Sequence, residues 1–404
     1  MSMPQAQRSL ISVLRDATWF DGSRARAYCI ILAAVSVMAC VGYLALSRDG
    51  LDPMGKPIGT DFASFWTASQ LALAGHAADA WSMARHGAAQ AAKFGAQAGY
   101  AAFFYPPPYL LVCLPLALMP YLLALVVWLG LTLATWVAML RAWIKATGAS
   151  ALGLLPLLSF PAVMMNAGHG QNGFLTAALM GAGALLQPTR PWLAGMMFGS
   201  LVIKPQLGVL LPFYLLFARD WRCILATGAT AIALCLASLA AFGWPAWAAF
   251  FANADNAAAV LSQNTVGYHK MQSLYAAARV LGAPETLAMV LQVGLTLGLI
   301  VVLFRLRQTV SALCNAAALC AAALLATPFV LDYDLTLLAV PLVWLYAQTQ
   351  REGFLPWERL LLAAAFLLPL LSRTLATAYL PVAPVLLMAV LAAIVRRARL
   401  GQSP

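Results

Sequence analysis

The sequence predicts an all-α polytopic membrane protein, and its composition and apolar periodicity carry that prediction. Hydrophobic residues make up 63% of the 404 residues, and charged residues make up only 9%. Soluble domains carry about 25% charged residues, so a chain of this composition needs lipid around it. Apolar runs recur along the chain at lengths that approach the ~20 residues needed to cross the hydrocarbon core. We expect one integral-membrane domain over residues 1–404.

The apolar runs predict about twelve transmembrane helices. Several of the runs are short or contain proline, which breaks the hydrogen-bond pattern inside a helix. The runs are 28–47, 121–140, 151–166, 172–187, 191–203, 205–218, 222–243, 287–304, 309–327, 335–348, 359–372 and 375–395.

Basic residues predict the orientation of the chain. Residues 1–27 carry arginines and are followed by no cleavage site of small residues, so we expect a cytoplasmic tail and an uncleaved anchor. Lysine and arginine then recur in alternate loops, which the positive-inside rule assigns to the cytoplasm. Both termini are therefore expected in the cytoplasm of a bacterial cell, with the chain in its cytoplasmic membrane. The net charge of +11 follows from this pattern and predicts contact with anionic lipid, not with nucleic acid.

Two long outer loops follow from this orientation, at about 48–120 and 244–286. The first contains amphipathic stretches around 62–74 and 77–95, which are typical of helices that lie on a membrane surface. The run at 105–120 is short and has proline near both ends, so we expect an interfacial or re-entrant helix there. His76 and His86 fall in these stretches and are expected at the surface.

Cysteine and histidine patterns predict no metal and no other cofactor. The chain has seven cysteines, an odd number, and almost all of them fall within apolar runs. That placement gives no disulfide framework and no paired-cysteine metal site. No two of the four histidines have the spacing of metal ligands.

Five polar clusters fall on the outer face once this topology is drawn. Scattered structural polar residues have no reason to share a face, whereas a site that needs acid, base and cation groups at the membrane boundary does. Asp61 is the best candidate for chemistry, because acids are scarce in this chain. The clusters are Asp61, His169 with Gln171 and Asn172, Lys204, His269 with Lys270, and Asp332 with Asp334.

Each cluster also has a purely structural interpretation. Asp61 precedes an aromatic stretch and could act only as the N-cap of a helix. Lys204 could extend its amine to the interface, although the proline after it favours a deliberately broken helix. The other clusters could cap helix ends or lie in solvent: His169, Gln171, Asn172, His269, Lys270, Asp332 and Asp334.

The order of the motifs carries a family resemblance over roughly 45–380. The motifs are Asp61 with the aromatic residues after it, Tyr-Pro-Pro at 105–107, Gly-Gln-Asn at 170–172, Ile-Lys-Pro at 203–205, and Thr-Pro at 327–328 before Asp-Tyr-Asp. In this order and on one face they resemble glycosyltransferase family 87. The resemblance implies an integral-membrane enzyme of the GT-C fold, as in mannosyltransferases that use polyprenyl-phosphate-mannose.

The resemblance also implies a reaction. The enzyme would transfer a hexose, with mannose as the first expectation, from a polyprenyl-phosphate donor to a lipid or polysaccharide acceptor on the outer face. Asp61 would be the general base that takes the proton of the acceptor hydroxyl. Lys204 would be the first choice to stabilise the leaving phosphate. The other predicted donor and substrate contacts are His169, Gln171, Asn172, Tyr105, His269, Lys270, Asp332 and Asp334.

One departure and one alternative stay open. Mannose-transferring members are expected to have histidines where this chain has Asp332-Tyr333-Asp334, which leaves the donor sugar open. Broken helices and a buried cation would also suit a secondary transporter or a flippase for an anionic or lipid-linked substrate. The long first outer loop and the lack of an internal repeat argue against transport. A non-catalytic scaffold would leave the one-sided polar clusters unexplained.

Overall fold

The structure is a computed structural model that describes residues 10–149, 153–254, 259, 261–307 and 310–400. Within these ranges the regular structure is helical, with isolated β-bridges only, which confirms the predicted all-α class. Residues 1–9 of the predicted tail lie outside the described residues. The same holds for 255–258 and 260 of the second predicted outer loop, and for 151–152 and 309 of two predicted runs.

Groups of short helices separate the long helices along the chain. The first part of the chain forms α1 (Leu10–Asp16), α2 (Gly22–Leu46), α3 (Phe62–Leu73), α4 (Met83–Phe94), α5 (Pro107–Cys113), α6 (Tyr121–Thr147), α7 (Leu154–Leu158), α8 (Pro161–His169), α9 (Gly173–Leu186), α10 (Pro191–Ser200), α11 (Leu211–Ala218) and α12 (Trp221–Ala252). The second part forms α13 (Leu274–Val280), α14 (Glu285–Arg307), α15 (Ala312–Ala323), α16 (Ala339–Glu352), α17 (Glu358–Thr377) and α18 (Ala383–Leu400). Short 3-10 helices lie at Ala77–Trp81, Ala96–Ala98, Leu114–Leu118, Leu201–Ile203, Pro205–Gly208, Tyr268–Lys270 and Asp332–Leu338.

Long apolar helices are fewer than the sequence predicts. Among the described residues, five helices are long and apolar enough to cross a membrane, namely α2, α6, α12, α14 and α17. The predicted number of about twelve spans is therefore not confirmed. Several of the other predicted runs begin a new short helix at a proline, a residue that fits the first turn because no backbone donor is needed there. Pro161, Pro191 and Pro205 each take that position.

The short helices pack closely against the long ones. A Cβ atom on Gly195 of α10 would lie 2.5 Å from the Cβ of Ala226 in α12. One on Gly199 would lie 2.5 Å from the carbonyl oxygen of Thr227. Small residues that let two backbones approach in this way are typical of helix contacts in membranes.

Basic residues gather at one end of the bundle. The C-terminal end of α6 meets that of α16, and the segment before α2 meets the start of α17. The α6 end at Tyr121 and the α17 end near Arg373 lie at the opposite end, with the polar clusters. The contacts at the basic end are Arg351 to the Thr147 carbonyl, the Trp357 amide to the Arg15 carbonyl, Arg359 to the Phe20 carbonyl, and Arg397 to Glu352 and Glu358.

Helix α3 is internal, and the expectation that it lies on the membrane surface is wrong. All eight residues from Phe62 to Ser69 are buried. Phe65 packs edge-on against Tyr109 with the ring centroids 5.1 Å apart, and the indole of Trp66 donates to the carbonyl of Met119 at 3.1 Å. The amphipathic pattern failed as a guide because protein, not water, covers the less apolar side of the helix.

His86 on α4 is also buried, which corrects the expectation that it lies at the surface. Its side chain is fully inaccessible, and its Nε2 lies 3.2 Å from the carbonyl oxygen of Ser64 in α3. Burial lowers the pKa of His86 to about 4. The imidazole is therefore neutral at pH 7 and links α3 to α4 in that form.

This burial predicts a loss of stability in acid. In the unfolded chain a histidine binds its proton near pH 6.5, whereas folded His86 does so only near pH 4. The stability contributed by neutral His86 is complete above pH 6.5 and is lost as the pH falls toward 4. We expect the wild type to lose about 2 kcal/mol from this group near pH 5. Thermal unfolding of His86→Gln, which keeps an amide donor for Ser64, should show a weaker pH dependence.

The exposed His76 provides the matched control for this measurement. His76→Gln should follow the wild-type pH dependence, because the exposed side chain of His76 takes no part in the buried contact between α3 and α4. Equal acid sensitivity in His86→Gln and the wild type would assign the effect to other groups.

Candidate active site

Asp61 lies at the start of α3, where hydrogen bonds to α6 and α8 fix the backbone. Gly59 turns the chain just before it with a φ of +72°, and the hydroxyl of Tyr121 in α6 donates to the carbonyl of Ile58 at 2.6 Å. The amide of Asp61 donates to the carbonyl of His169 at 3.0 Å. Its carboxylate makes no cap bond to α3 and is 35% exposed. The interpretation of Asp61 as a simple N-cap therefore does not describe this side chain.

The turn after α8 brings the second polar cluster to Asp61. Gly170 ends α8 with a φ of +64°, and the amide of Gln171 donates to the carbonyl of Asn166 at 3.0 Å, which closes the helix end. A Cβ atom on Gly170 would lie 2.5 Å from that of Phe62, so only glycine fits. The indole of Trp128 in α6 donates to the carbonyl of Gly170 at 3.0 Å. The turn is thereby fixed against both α3 and α6.

Gln171 orients the carboxylate of Asp61. Its Nε2 donates to Asp61 Oδ2 at 2.9 Å. Its Oε1 accepts from the hydroxyl of Tyr105 at 3.0 Å and from the backbone N–H of Asn172 at 3.1 Å. These two donors fix which end of the side-chain amide is the oxygen, so that an N–H faces the carboxylate.

His169 lies beside the same carboxylate. Its Nδ1 is 3.9 Å from Asp61 Oδ2 and 3.0 Å from the hydroxyl of Thr60. The imidazole is half-buried and meets the ring of Tyr333 edge-on, with 6.1 Å between the centroids. A histidine in this position can hydrogen-bond a group that binds beside the carboxylate.

Lys204 forms a buried ion pair with Asp334. Its Nζ lies 2.5 Å from Asp334 Oδ1, and the two side chains are 2% and 1% exposed. The amine also donates to Asn172 Oδ1 at 3.3 Å and lies 4.9 Å from the ring centre of Tyr333. Lys204 lies between two 3-10 helices, at the irregular backbone that the sequence predicted. Its charge is already balanced within the protein, and contact with a donor phosphate stays a prediction.

The second predicted outer loop lies alongside Asp332. Met271 forms a β-bridge with Leu331, and the amide of Gln272 donates to the carbonyl of Val330 at 2.8 Å. Asp332 accepts from the amide of Tyr333 at 2.9 Å, and burial raises the pKa of its carboxyl. The 3-10 helix just before Met271 carries two further predicted site residues, His269 and Lys270.

The structure thus brings every predicted site residue into one region, on six segments of the chain. The roles of these residues in substrate binding stay predictions. The sequence reasoning missed several neighbours of the site. Arg373 was visible only as a lone arginine between the last two apolar runs, and Tyr333 was visible only as the aromatic residue between two acids. Thr60 and Tyr109 gave no signal.

Two neighbouring buried donors in this region lack a well-aligned hydrogen bond among the described residues. They are the side-chain nitrogen Nδ2 of Asn172 and the hydroxyl of Tyr109, which lie close to each other. Both side chains are fully buried. An unpaired buried donor costs about 1–3 kcal/mol, so such groups are candidates for bonds to a substrate.

An apolar cavity begins beside Lys204. It measures ≈ 400 Å³ and lies between α10, α11 and α12. Residues of both 3-10 helices that flank Lys204 also line it. Pro205 and Val202 form the part of its wall nearest to the lysine, and Leu215 and Ile224 lie toward the other membrane face. The cavity therefore lies along the hydrophobic part of the bundle, next to the backbone on both sides of Lys204.

The arrangement as a whole can accept a proton at a partly exposed carboxylate and can attract an anion nearby. Among the residues that the structure describes, no group of three or more histidine, cysteine or acidic side chains is placed to hold a metal ion.

Comparison with known proteins identifies the family. The sequence model of glycosyltransferase family 87 matches residues 103–328, which is more than half of the chain. The matched region includes Tyr105, Gln171, Lys204 and Lys270, whereas Asp61 lies before it. No curated protein and no solved structure gives a match. The chain therefore belongs to glycosyltransferase family 87 and is a glycosyltransferase with several membrane-spanning helices.

Proposed function

We propose that this membrane glycosyltransferase takes a hexose from a polyprenyl-phosphate donor and transfers it to a lipid or polysaccharide acceptor, with Asp61 as the general base. The observation that carries this proposal is the state of the Asp61 carboxylate. It is partly exposed, it does not cap its helix, and one of its oxygens is held by Gln171. A carboxylate fixed in this way is suited to take a proton.

The proposed reaction is a single displacement at the anomeric carbon. The acceptor hydroxyl gives its proton to Asp61 while its oxygen forms the new bond to the sugar. The bond between the anomeric carbon and the donor phosphate oxygen breaks, and the phosphate leaves with the electron pair. Gln171 bonds to Asp61 Oδ2, and Oδ1 makes no hydrogen bond to a described residue, so Oδ1 is the proposed proton acceptor. Gln171 is then a positioning residue.

The donor lipid is proposed on two grounds. Family membership places the reaction in a membrane enzyme, and a carrier tail in the bilayer lets the sugar reach an aqueous acceptor. The apolar cavity of ≈ 400 Å³ beside Lys204 has the lining that part of a prenyl chain requires. Asn172 and Tyr109, with their unpaired donors, are proposed to bind oxygens of the sugar or the phosphate. Mannose is the first sugar to test.

The orientation and the finer fold are also proposed. Arginines from both ends of the chain meet at the end of the bundle opposite Asp61, and the positive-inside rule assigns that end to the cytoplasm. The active site then faces outward from a bacterial cytoplasmic membrane. We propose a GT-C arrangement within a single domain, in which the short helices complete the bundle around the five long ones. Family membership removes the reason to consider a transporter or flippase.

A transfer assay tests this proposal. The purified wild type in nanodiscs is incubated with radiolabelled polyprenyl-phosphate-mannose and a membrane lipid extract, and parallel reactions use other polyprenyl-phosphate hexoses. We expect label to move from one of these donors into a new product. Nucleotide sugars are the contrasting donors. Transfer from a nucleotide sugar, with none from any polyprenyl-phosphate sugar, would overturn the donor class.

A further inference from the structure

Three basic side chains lie together near Asp332 and form no ion pair with any residue that the structure describes. His269 and Lys270 are on the 3-10 helix of the second outer loop, and α17, which carries Arg373, packs against that helix and against the 3-10 helix that begins at Asp332. All three side chains are half-buried. None of them forms a side-chain hydrogen bond or ion pair with a residue that the structure describes. We call His269, Lys270 and Arg373 the cation cluster.

The members of the cation cluster repel one another. Burial lowers the pKa of both His269 and Lys270, and the nearby charge of Arg373 lowers both further. Lys56, in the first outer loop, adds to the effect on Lys270. The carboxylates of Asp61 and Asp332 act in the opposite direction and raise the pKa of Lys270. Neither carboxylate lies within ion-pair distance of the cluster. Like charges in a partly buried region are unfavourable, so an anion that enters there gains the attraction of Lys270 and Arg373, to which the His269 ring can add a hydrogen bond.

Lys204 does not compete for such an anion. Its amine is held by Asp334 and Asn172 and is 2% exposed. The cation cluster is accessible by comparison, and Lys270 is close enough to Asp61 for the carboxylate to raise the pKa of its amine. Lys270 and Arg373 therefore offer partly accessible positive charge to a substrate near the proposed base.

We propose that the cation cluster binds the phosphate group of the lipid-phosphate donor, with Arg373 as its principal ligand. This inference rests on the proposed function and names the residues that meet the donor's charge. A guanidinium matches two phosphate oxygens at once, which a lysine amine cannot do. Gly267 leaves room for the imidazole of His269, because a Cβ atom at position 267 would lie 2.6 Å from that ring.

The position of the cluster also gives it a part in the reaction. When the anomeric carbon–oxygen bond breaks, the donor phosphate gains a negative charge. Arg373 and Lys270 would stabilise that charge. Arg373 would then bind the donor phosphate before transfer and the free polyprenyl phosphate after it.

Equilibrium binding of a polyprenyl phosphate without sugar tests this inference separately from transfer. Binding to the wild type, Arg373→Gln and Lys270→Gln in phosphatidylcholine nanodiscs is measured by native mass spectrometry. Arg85→Gln is the matched control, because Arg85 is an exposed arginine of the first outer loop. We expect Arg373→Gln to raise the dissociation constant by roughly tenfold or more, Lys270→Gln by less, and Arg85→Gln not at all. Arg373→Lys should recover only part of the affinity.

Competitors distinguish the sources of a phosphate group. Polyprenol, inorganic phosphate and phosphatidylglycerol are each added to the bound complex, and none should displace the polyprenyl phosphate at matched concentration. Equal displacement by phosphatidylglycerol would make the cluster a general headgroup site and overturn the inference. Wild-type affinity in Arg373→Gln would overturn it too, while the proposed function stands. Absence of binding to the wild type would instead remove the donor class and the inference together.

Discussion

Asp61→Asn is expected to fold and enter the membrane as the wild type does, yet to lose roughly 10²–10⁴-fold in kcat. The amide of asparagine has nearly the shape of the carboxylate, and its oxygen can still accept from Gln171 Nε2, which lies 2.9 Å from Asp61. It cannot take the proton of an attacking hydroxyl. Initial rates of sugar transfer at saturating donor, compared with the wild type, measure the effect.

The control for this variant is Asp79→Asn. Asp79 is another carboxylate of the first outer loop, and it pairs with the exposed Arg85 at 2.8 Å. We expect its loss to leave transfer unchanged, because an exposed ion pair contributes little. An unfolding temperature of Asp61→Asn equal to that of the wild type would show that the loss of transfer comes from the missing base and not from unfolding. Turnover above half of the wild-type value in Asp61→Asn would end the assignment of Asp61 as the base.

Lys204→Met and Asp334→Leu are each expected to destabilise the protein by about 3–5 kcal/mol, because each leaves an unpaired charge in the interior. The two side chains are 2% and 1% exposed and 2.5 Å apart, so solvent cannot replace the lost partner. The double variant Lys204→Met/Asp334→Leu should recover most of the loss, since apolar groups of similar volume can replace a buried ion pair. The free energy of unfolding of all four proteins in detergent measures this cycle.

The pair Arg85 and Asp79 supplies the reference cycle, for which about 0–1 kcal/mol is expected. The Lys204 cycle also tests the alternative role of that residue. If Lys204→Met kept wild-type stability and lost only affinity for polyprenyl phosphate, the ion pair would have to open when the donor binds. Lys204 would then be a ligand of the phosphate, as the family resemblance implies.

The helical class of the fold and the proximity of the polar clusters could be predicted from the sequence because polar residues are so rare in this chain. A carboxylate or amine in an apolar protein needs partners, so clusters such as Asp61, Gln171 and Lys204 had to converge somewhere. Their common face followed from the alternation of basic loops. These arguments rest on local patterns. They predict which residues lie in one region but not which of those residues pair with one another.

The pairing itself could not be predicted. Lys204 and Asp334 are 130 positions apart, and no local pattern shows that one neutralises the other. Arg373 lies in a gap between apolar runs, where its contact with the second outer loop depends on how α17 packs. The burial of α3 and His86 escaped prediction because amphipathicity tells which side of a helix is less apolar and does not tell what covers it. Prolines such as Pro161 shortened the predicted spans.

Helix α6 holds the proposed base in place but does not carry the cation cluster. Substitutions in these two regions are therefore expected to have different effects. Tyr121 bonds to the backbone before Asp61 and Trp128 bonds to the turn before Gln171, so the base and its orienting amide are both held against the same helix. The cations come from other segments, the second outer loop and α17. Substitutions there can retune which donor the enzyme accepts while the proton acceptor keeps its place, so specificity and chemistry can evolve independently.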